Sequence, residues 1–203
     1  MTAGIRYHWW WRPGWQPGAR LYTFHFTFAD QPAVQELAAE ARASLAPVAW
    51  LDLVPGQWLH CTTQGVGFSH DVSVDDLAAI ADAARSRLAD VPPAVVTVGA
   101  PMAVGEGAVC WVGPDGALDR ARDALRAAIG DVWGPARVPE TAEWAPHVSV
   151  AYANADGLAA PVDDALGDGR GVTVTLGKVD LIRLGRDNRV YEWETIASIP
   201  LGG

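Results

Sequence analysis

Two short stretches of the chain share a pattern of residue types that could do acid–base chemistry. Both read His-x-Thr or His-x-Ser within an apolar run: His60 with Thr62, and His147 with Ser149. An imidazole titrates near pH 6.5, so it can accept or donate a proton at neutral pH. A hydroxyl can donate a hydrogen bond to a phosphate oxygen that carries charge. Two such pairs suit phosphodiester transfer, in which one oxygen is deprotonated and another is protonated.

The surrounding residues predict that each motif lies on a β-strand. Residues 58–64 and 146–152 lack helical periodicity, are rich in β-branched or aromatic residues, and are bounded by Pro, Gly or Asn. Residues two apart on a strand share a face and lie about 6.5–7 Å apart. His60, Thr62 and Gln64 are therefore predicted to face a cleft, with the alternate residues in the core. The same alternation predicts a polar face for the histidine and serine of the second motif.

The two motifs, their spacing and the length of 203 residues resemble the two-histidine (2H) phosphoesterase superfamily. This superfamily includes the 2′-5′ RNA ligase-like proteins and the cyclic nucleotide phosphodiesterases. The resemblance covers about residues 20 to 200, and Ser149 keeps the hydroxyl where the family motif has threonine. It implies a metal-independent phosphoesterase that acts on a 2′,3′-cyclic phosphate or a 2′-5′ phosphodiester, with ligation as the reverse reaction. His60, Thr62, His147 and Ser149 would be the catalytic residues, and which histidine is the acid stays open.

Two other classes of function are open at the level of sequence. A nucleotide-binding or RNA-end-binding module could use the same cleft without catalysis, although a binder has no use for two titrating imidazoles. A structural or interaction protein could instead present the tryptophan-rich N-terminus. The base, the length of the substrate and the direction of the reaction are open as well.

The composition predicts an ordinary globular protein and limits its partners. Half of the residues are hydrophobic and 19% are charged, which is typical of one folded domain. We expect a cytoplasmic monomer, because no secretory h-region or membrane-length apolar stretch is present. The net charge of −9 disfavours an extended polynucleotide, since basic faces supply most of the affinity for one. A small nucleotide or a short RNA end is the predicted partner.

The two cysteines predict neither a disulfide nor a metal site. Cys61 and Cys110 each lie in an apolar, strand-like run, which is typical of buried free thiols. Neither is spaced with a histidine as in a zinc site. We therefore predict no metal and no other cofactor.

Several further residues are candidate substrate contacts. His25 lies on the polar side of an alternating aromatic run, with plain solvent exposure as the alternative. Trp144 stands three residues before the second histidine and could line the cleft. Arg183 and Arg186 lie near the end of a predicted strand and could contact a phosphate, or could simply be solvated. The full set of candidate substrate contacts is His25, Gln64, Trp144, Tyr152, Arg183 and Arg186.

The N-terminus, residues 1–19, is predicted to be an arm that precedes a single domain of residues 20–203. Its prolines and glycines are incompatible with a regular helix. Its tryptophans would be a liability in water, so we expect the arm to pack on the body as a structural clasp. Alternatively, Arg6 and one indole could line the cleft, where an aromatic face can stack on a base. The tryptophans are Trp9, Trp10, Trp11 and Trp15.

The order of elements predicts an α+β fold of two pseudo-symmetric lobes. Each lobe would be an antiparallel sheet with helices on its outer face and a motif strand facing a central cleft. Asp30 is predicted to cap the first helix and Ser73 the second. A turn at residues 55–56 is predicted to pair the strand of residues 48–54 with the first motif strand. The predicted helices cover residues 32–46, 73–88, 115–130 and part of 154–171, and the other strands cover residues 21–28, 94–104, 108–113, 172–184 and 189–201.

Overall fold

Two antiparallel sheets border a common cleft in the computed structural model, which describes residues 4–113, 116–140 and 144–202. The strands are β1 (Gly4–Ile5), β2 (Leu21–Thr27), β3 (Leu51–Leu53), β4 (His60–Phe68), β5 (Ala94–Val104), β6 (Gly107–Val112), β7 (His147–Ala153), β8 (Gly157–Leu158), β9 (Val172–Leu176), β10 (Lys178–Gly185) and β11 (Glu192–Pro200). The helices are α1 (Pro32–Leu45), α2 (Val74–Leu88), α3 (Gly116–Trp133) and α4 (Ala159–Leu166).

The sheets place the two motif strands in different layers. The first sheet has the order β11-β10-β2-β4, and the second has the order β3-β7-β6-β5-β9. In β2, Phe24 and Phe26 are fully buried in the core, whereas His25, which stands between them, lines the cleft. This alternation is the one that the sequence predicts, and the α+β fold with two antiparallel sheets is confirmed.

The chain crosses between the sheets more often than the sequence predicts. β3 pairs with β7, with Leu53 opposite Ala151, whereas β4 pairs with β2. The predicted hairpin between β3 and β4 is wrong, because a 3-10 turn at Gly56–Trp58 leads the chain from one sheet into the other. The single strand predicted for residues 172–184 is in fact two strands, β9 and β10. They are separated by Gly177 and belong to different sheets. Each lobe is therefore built from both halves of the chain.

The helices cover the sheets in pairs. α2 and α3 pack on each other beside the first sheet, and α1 and α4 pack on each other beside the second. The cap at Ser73 is confirmed, since its Oγ accepts a hydrogen bond from the backbone N–H of Asp76 at 3.0 Å. The cap predicted at Asp30 is wrong: α1 follows Gln31, and Asp30 instead pairs with Lys178 at 3.2 Å. None of the helices in the described ranges is long and apolar enough to cross a membrane.

α3 ends later than predicted. Gly130 stays within the helix, and the chain leaves it at Gly134, whose φ of 85° favours glycine. The N–H of Gly134 donates to the carbonyl of Gly130 at 2.8 Å, which satisfies one of the last helical carbonyls. The loop predicted for residues 131–145 is therefore helical at its start, and its residues 141–143 lie outside the described residues.

The N-terminal arm packs on the body, as expected. β1 pairs with β8, and the indole of Trp9 is buried and donates to Asp52 at 2.9 Å. The guanidinium of Arg186 lies over the rings of Trp9, Trp15 and Tyr191, at 5.3, 5.7 and 5.6 Å from their centroids. Stacking of this kind stabilises a buried guanidinium without a carboxylate partner. Arg186 therefore attaches the arm to the turn between β10 and β11.

The two cysteines are buried free thiols, as predicted. Cys61 lies on the core side of the first motif strand, and Cys110 lies on β6 of the second sheet. Burial raises the pKa of each thiol to about 12. Both thiols therefore stay protonated and serve as small core residues.

Candidate functional site

A cavity of about 440 Å³ lies in the cleft, and both motifs line it. β4 contributes His60 and Thr62, and β7 contributes His147 and Ser149. The two strands come from different sheets, so the cavity brings together residues that are far apart in sequence. Other lining residues that matter below are His8, Arg12, His25, Trp111, Tyr152 and Tyr191.

The two motif histidines are anchored in the same way. His60 Nδ1 lies 2.8 Å from the carbonyl of Trp58, and His147 Nδ1 lies 2.8 Å from the carbonyl of Ala145. A carbonyl can only accept, so each Nδ1 must carry the proton and donate it. Nε2 is then the basic nitrogen of each neutral ring, and it has no hydrogen-bond partner among the described residues. Both rings can therefore exchange a proton with a bound molecule through Nε2.

A β-bulge follows the hydroxyl residue of each motif. In β4 the pairing with β2 shifts by one residue directly after Thr62, which leaves Thr63 as the extra residue. In β7 the pairing with β6 shifts directly after Ser149, which leaves Val150 as the extra residue. A bulge reverses the side-chain alternation of every residue beyond it. In each motif strand the side chains therefore alternate between the two faces only up to the hydroxyl residue, Thr62 or Ser149.

The bulge in β4 overturns the predicted orientation of Gln64. Gln64 lies opposite the core residue Phe24 and is only 1% exposed. Its amide donates to the carbonyl of Pro139 at 3.0 Å, and its carbonyl accepts from Arg126 at 3.2 Å. In β7 the bulge after Ser149 instead turns a side chain toward the cavity, namely that of Tyr152.

Three further candidates lie outside the cavity. Trp144 donates from its indole to the carbonyl of Thr62 at 3.0 Å, so it contacts the first motif strand through the backbone. Arg183 is exposed and pairs with Glu194 at 2.7 Å on the neighbouring strand. Arg186 donates to the carbonyls of His8 and Trp10 in the arm. None of these three lines the cavity, so their role as substrate contacts stays a prediction. Local sequence signals a charged or aromatic residue but not the protein group that it contacts.

His25 lies within the site. Its ring stacks on that of His60, with the centroids 4.5 Å apart and the planes 9° apart. Its Nε2 lies 3.3 Å from Oγ1 of Thr62, directly across the strand pair. It is 1% exposed, so the alternative of a solvated histidine is excluded.

Burial keeps the imidazoles on the first-sheet side of the cavity neutral. Desolvation lowers the pKa of His60 to about 4, and the nearby His147 lowers it further against the opposing effect of the Trp58 carbonyl. Desolvation, followed by the charge on His60, lowers the pKa of His25 well below its usual value. His60 is therefore an unprotonated base at neutral pH.

In the described part of the chain, three residues of the arm line the cavity: His8, Arg12 and Trp15. Trp15 agrees with the alternative in which one arm indole lines the cleft, whereas His8 and Arg12 were not predicted. His8 stacks on Tyr152 at 4.2 Å, and its Nε2 lies 3.1 Å from the hydroxyl of Tyr191. Its Nδ1 lies 2.9 Å from Glu106, which also accepts from Arg12. Desolvation, with the charge of Arg12 next, lowers the pKa of His8 to about 3, so we treat the contact with Glu106 as a hydrogen bond to a neutral ring.

No local pattern marks these arm residues. They reach the cavity because Glu106, in the turn between β5 and β6, lies across from the arm, and that contact is distant in sequence. Arg6, the arginine named in that alternative, is exposed and does not line the cavity. Trp111 was missed as well: it contacts the edge of His147, with centroids 5.8 Å apart, because β6 pairs with β7.

The grouping of side chains offers no metal site in the part of the chain that the structure describes. No set of three or more His, Cys, Asp or Glu side chains there is arranged to hold an ion. The reactive groups that the two motifs bring to the cavity are imidazoles and hydroxyls.

Comparison with known proteins identifies the family. The family model of the 2′-5′ RNA ligase superfamily matches residues 30–188. The crystal structure of TT0787 of Thermus thermophilus has a TM-score of 0.65 and 21% identity, covering 91% of this chain and 98% of that chain. The crystal structure of E. coli LigT in apo form has a TM-score of 0.67 and 16% identity, covering 91% of this chain and 99% of that chain. None of the curated proteins matches the sequence significantly.

Proposed function

The chain belongs to the 2′-5′ RNA ligase superfamily, and we propose that it is a metal-independent phosphoesterase for 2′,3′-cyclic phosphates or 2′-5′ phosphodiesters. One observation carries the proposal: both motif histidines donate from Nδ1 to a carbonyl two residues upstream, at 2.8 Å each. This leaves two Nε2 atoms at one cavity, each with a hydroxyl residue on its own strand. A reaction that moves one proton in and one proton out needs such a pair.

The proposed reaction assigns one role to each imidazole. His60 is neutral at neutral pH, so its Nε2 takes the proton from the attacking water. The water oxygen forms a bond to phosphorus, and the bond from phosphorus to one ribose oxygen breaks. His147, protonated at both ring nitrogens for this step, then gives its Nε2 proton to that departing ribose oxygen. The product is a ribose phosphomonoester, and over the reaction His60 has gained one proton while His147 has lost one.

The two hydroxyls stabilise the charge on phosphorus. Thr62 and Ser149 lie on facing strands that border the cavity, so both can donate to non-bridging oxygens. Hydrogen bonds that are already in place when charge develops lower the barrier, because no reorganisation is needed. In the reverse direction the same groups would activate a ribose hydroxyl and join two ends.

The cavity favours a small nucleotide or a short RNA end. Its volume of about 440 Å³ lies in the range of small-molecule sites. The charged residues that line it in the described part of the chain are Arg12 and Glu106, which pair with each other. Such a lining offers no basic track for a long phosphate backbone. Crystal structures of LigT include complexes with 3′-AMP, ATP and NADP+, each of which is a nucleotide.

The aromatic lining provides room for a base. Trp15, Trp111 and Tyr152 border the cavity, and an aromatic face can stack on any base. Stacking of this kind is tolerant of sequence, so we propose that the site selects the phosphate linkage more strictly than the base. All of the groups in this scheme come from one chain, so the proposal requires no second subunit.

The test is turnover in the presence of EDTA. We expect the purified chain to hydrolyse a 2′,3′-cyclic nucleotide, or a short RNA that ends in one, with the chelator present. The substrate panel includes 2′-5′ dinucleotides and cyclic ADP-ribose phosphate, and phosphorus NMR identifies the product. Loss of turnover with chelator that returns with added metal contradicts the metal-independent reaction. Tight binding of a nucleotide without any turnover would instead favour a binding module.

A further inference from the structure

The hydroxyl of Thr62 has a neighbour that decides where its proton points. Oγ1 of Thr62 lies 3.3 Å from Nε2 of His25, on the strand directly opposite. The other ring nitrogen of His25, Nδ1, is buried and has no hydrogen-bond partner among the described residues. The bond to Thr62 is thus the one side-chain hydrogen bond that the structure gives this ring within the described ranges. A hydroxyl that must donate to a phosphate needs its proton free.

The stacked geometry keeps the His25 ring at one proton. The ring lies flat on His60, with the centroids 4.5 Å apart, and is 1% exposed. A second proton would place a charge in a dry environment against the ring that must itself become charged during the reaction. A neutral imidazole holds its single proton on either Nδ1 or Nε2.

The unbonded Nδ1 of His25 indicates which of the two ring nitrogens carries the proton. With the proton on Nδ1, the ring would bury an N–H that has no acceptor, and buried orphan N–H groups are rarer than orphan acceptors. With the proton on Nε2, the N–H has a partner, Oγ1 of Thr62, and the bare Nδ1 is an unfilled acceptor. In the second arrangement the oxygen of Thr62 accepts, so its own O–H is free to donate elsewhere.

We propose that His25 is a positioning residue, whose Nε2–H donates to Oγ1 of Thr62 and thereby directs the threonine O–H at the substrate phosphate. This inference rests on the proposed function, in which Thr62 binds a non-bridging phosphate oxygen. In the second motif the residue opposite Ser149 is Val109, which has no side-chain donor. The polar side chain next to Ser149 is instead that of Tyr152, on the same strand.

The kinetic test uses two substitutions that separate the ring from its donor. His25→Phe keeps a flat ring on His60 and removes the N–H, so kcat should fall about tenfold, the usual scale of one hydrogen bond. His25→Gln places an amide N–H near the position of Nε2, and most of kcat should return. Thermal melting confirms that each variant is folded. If Thr62 instead donated to His25, removal of the ring nitrogens would free the hydroxyl and kcat would rise.

A double-mutant cycle tests whether His25 acts through Thr62. In a Thr62→Val background the hydroxyl is absent, so adding His25→Phe should cost less than twofold, compared with about tenfold in the native background. A purely structural role would give the same loss in both backgrounds and would overturn the proposal.

The tautomer of His25 gives a readout that does not depend on turnover. In protein labelled with ¹⁵N-histidine, we expect the His25 resonances, assigned by their loss in His25→Phe, to show a protonated Nε2 and a bare Nδ1. A protonated Nδ1 would overturn the proposal, whatever the kinetics show. If no substrate in the panel is turned over, the proposed function fails, while the tautomer still decides how His25 and Thr62 are bonded.

Discussion

The two motif strands, β4 and β7, use the same local device in different surroundings. In both, the histidine donates from Nδ1 to the carbonyl two residues before it, and a bulge follows the hydroxyl residue. The His60 ring, however, lies on an edge strand and is buried against the ring of His25. His147 lies on an inner strand, is only partly buried, and makes a T-shaped contact with Trp111. The shared device fixes which nitrogen reacts, and the burial of His60 keeps that imidazole unprotonated at neutral pH.

A second difference lies beyond the bulges. Three residues after each motif hydroxyl, the chain returns to the cavity side: at Tyr152 in β7 and at Gly65 in β4. Tyr152 is buried and stacks on His8 of the arm, so this side is filled by aromatic rings. At Gly65 an added Cβ would meet no atom within 4 Å. At this position β7 therefore presents an aromatic ring, whereas β4 presents only its backbone.

The largest effects should follow from removing either imidazole. We expect His60→Ala and His147→Ala each to lower kcat by roughly 10²–10⁴-fold, the usual worth of a positioned acid or base. Because His60 has a pKa of about 4, the acid limb of the native pH–rate profile should lie near that value, well below the ordinary imidazole range. Steady-state kinetics across a range of pH measures both the loss of kcat in the variants and the position of the acid limb in the native protein. A variant that kept a near-native rate would show that its histidine is structural.

Sequence reasoning succeeded where the decisive information is local. The strands of both motifs, the aromatic alternation around His25 and the cap at Ser73 depend on neighbouring residues, and the structure has them. The order of these elements predicts the two-lobed arrangement, and the family resemblance implies the same one.

It failed where the partner strand or a distant segment decides. The bulge at Thr63 exists only in the pairing of β4 with β2, so Gln64 was assigned to the wrong face. The contact of Arg12 with Glu106 joins the arm to a hairpin turn far along the chain, and nothing in either segment signals it. Single-strand alternation is thus reliable up to the first bulge and not beyond it.

The next largest effects concern the hydroxyls. Thr62→Val keeps the volume and strand propensity, and Ser149→Ala needs little repacking, so each removes little besides a donor. Loss of one preorganised donor should cost about 10²–10³ in kcat. Because both groups act on one phosphoryl centre, the two losses should be less than additive in the double variant. Strict additivity would mean that the two hydroxyls act on separate parts of the substrate.

Thr63→Val is the matched control for Thr62→Val. Thr63 is the bulge residue, is 2% exposed and donates to the carbonyl of Cys61 at 3.4 Å, away from the cavity. Its replacement should leave kcat nearly unchanged, although loss of the bond could lower stability by about 1 kcal/mol. Equal damage from both substitutions would contradict the face that we assign to Thr62.

The buried imidazoles should also make stability depend on pH. His60 binds a proton near pH 6.5 when unfolded but only near pH 4 when folded, so the unfolded state takes up more protons between these values. The free energy of unfolding should therefore be largest above about pH 6.5 and should decrease as the pH falls below that value. The decrease should be roughly 1 kcal/mol per pH unit for each histidine whose pKa is lowered by burial. Urea denaturation from pH 7 down to about 5 measures the slope, and His60→Gln should reduce it. An unchanged slope in that variant would show that His60 is not the source.

The smallest effect on turnover is expected from a substitution at Gly65, because an added Cβ there would meet no atom within 4 Å. Its φ is not positive and its Cβ position is free, so Gly65→Ala should fit without strain. Alanine reduces the backbone freedom of the unfolded chain, and the variant should be stabilised by up to about 1 kcal/mol. With no neighbour displaced, kcat and KM should stay within about twofold of native, well within the scale of a single hydrogen bond. Gly67→Ala is the control on the same strand, since its Cβ would lie 2.9 Å from a methyl group of Val72 and should lower the urea midpoint. A large rise in KM from Gly65→Ala alone would mean that the substrate contacts β4 at this position, and that the two sides of the cavity are more alike than their side chains indicate.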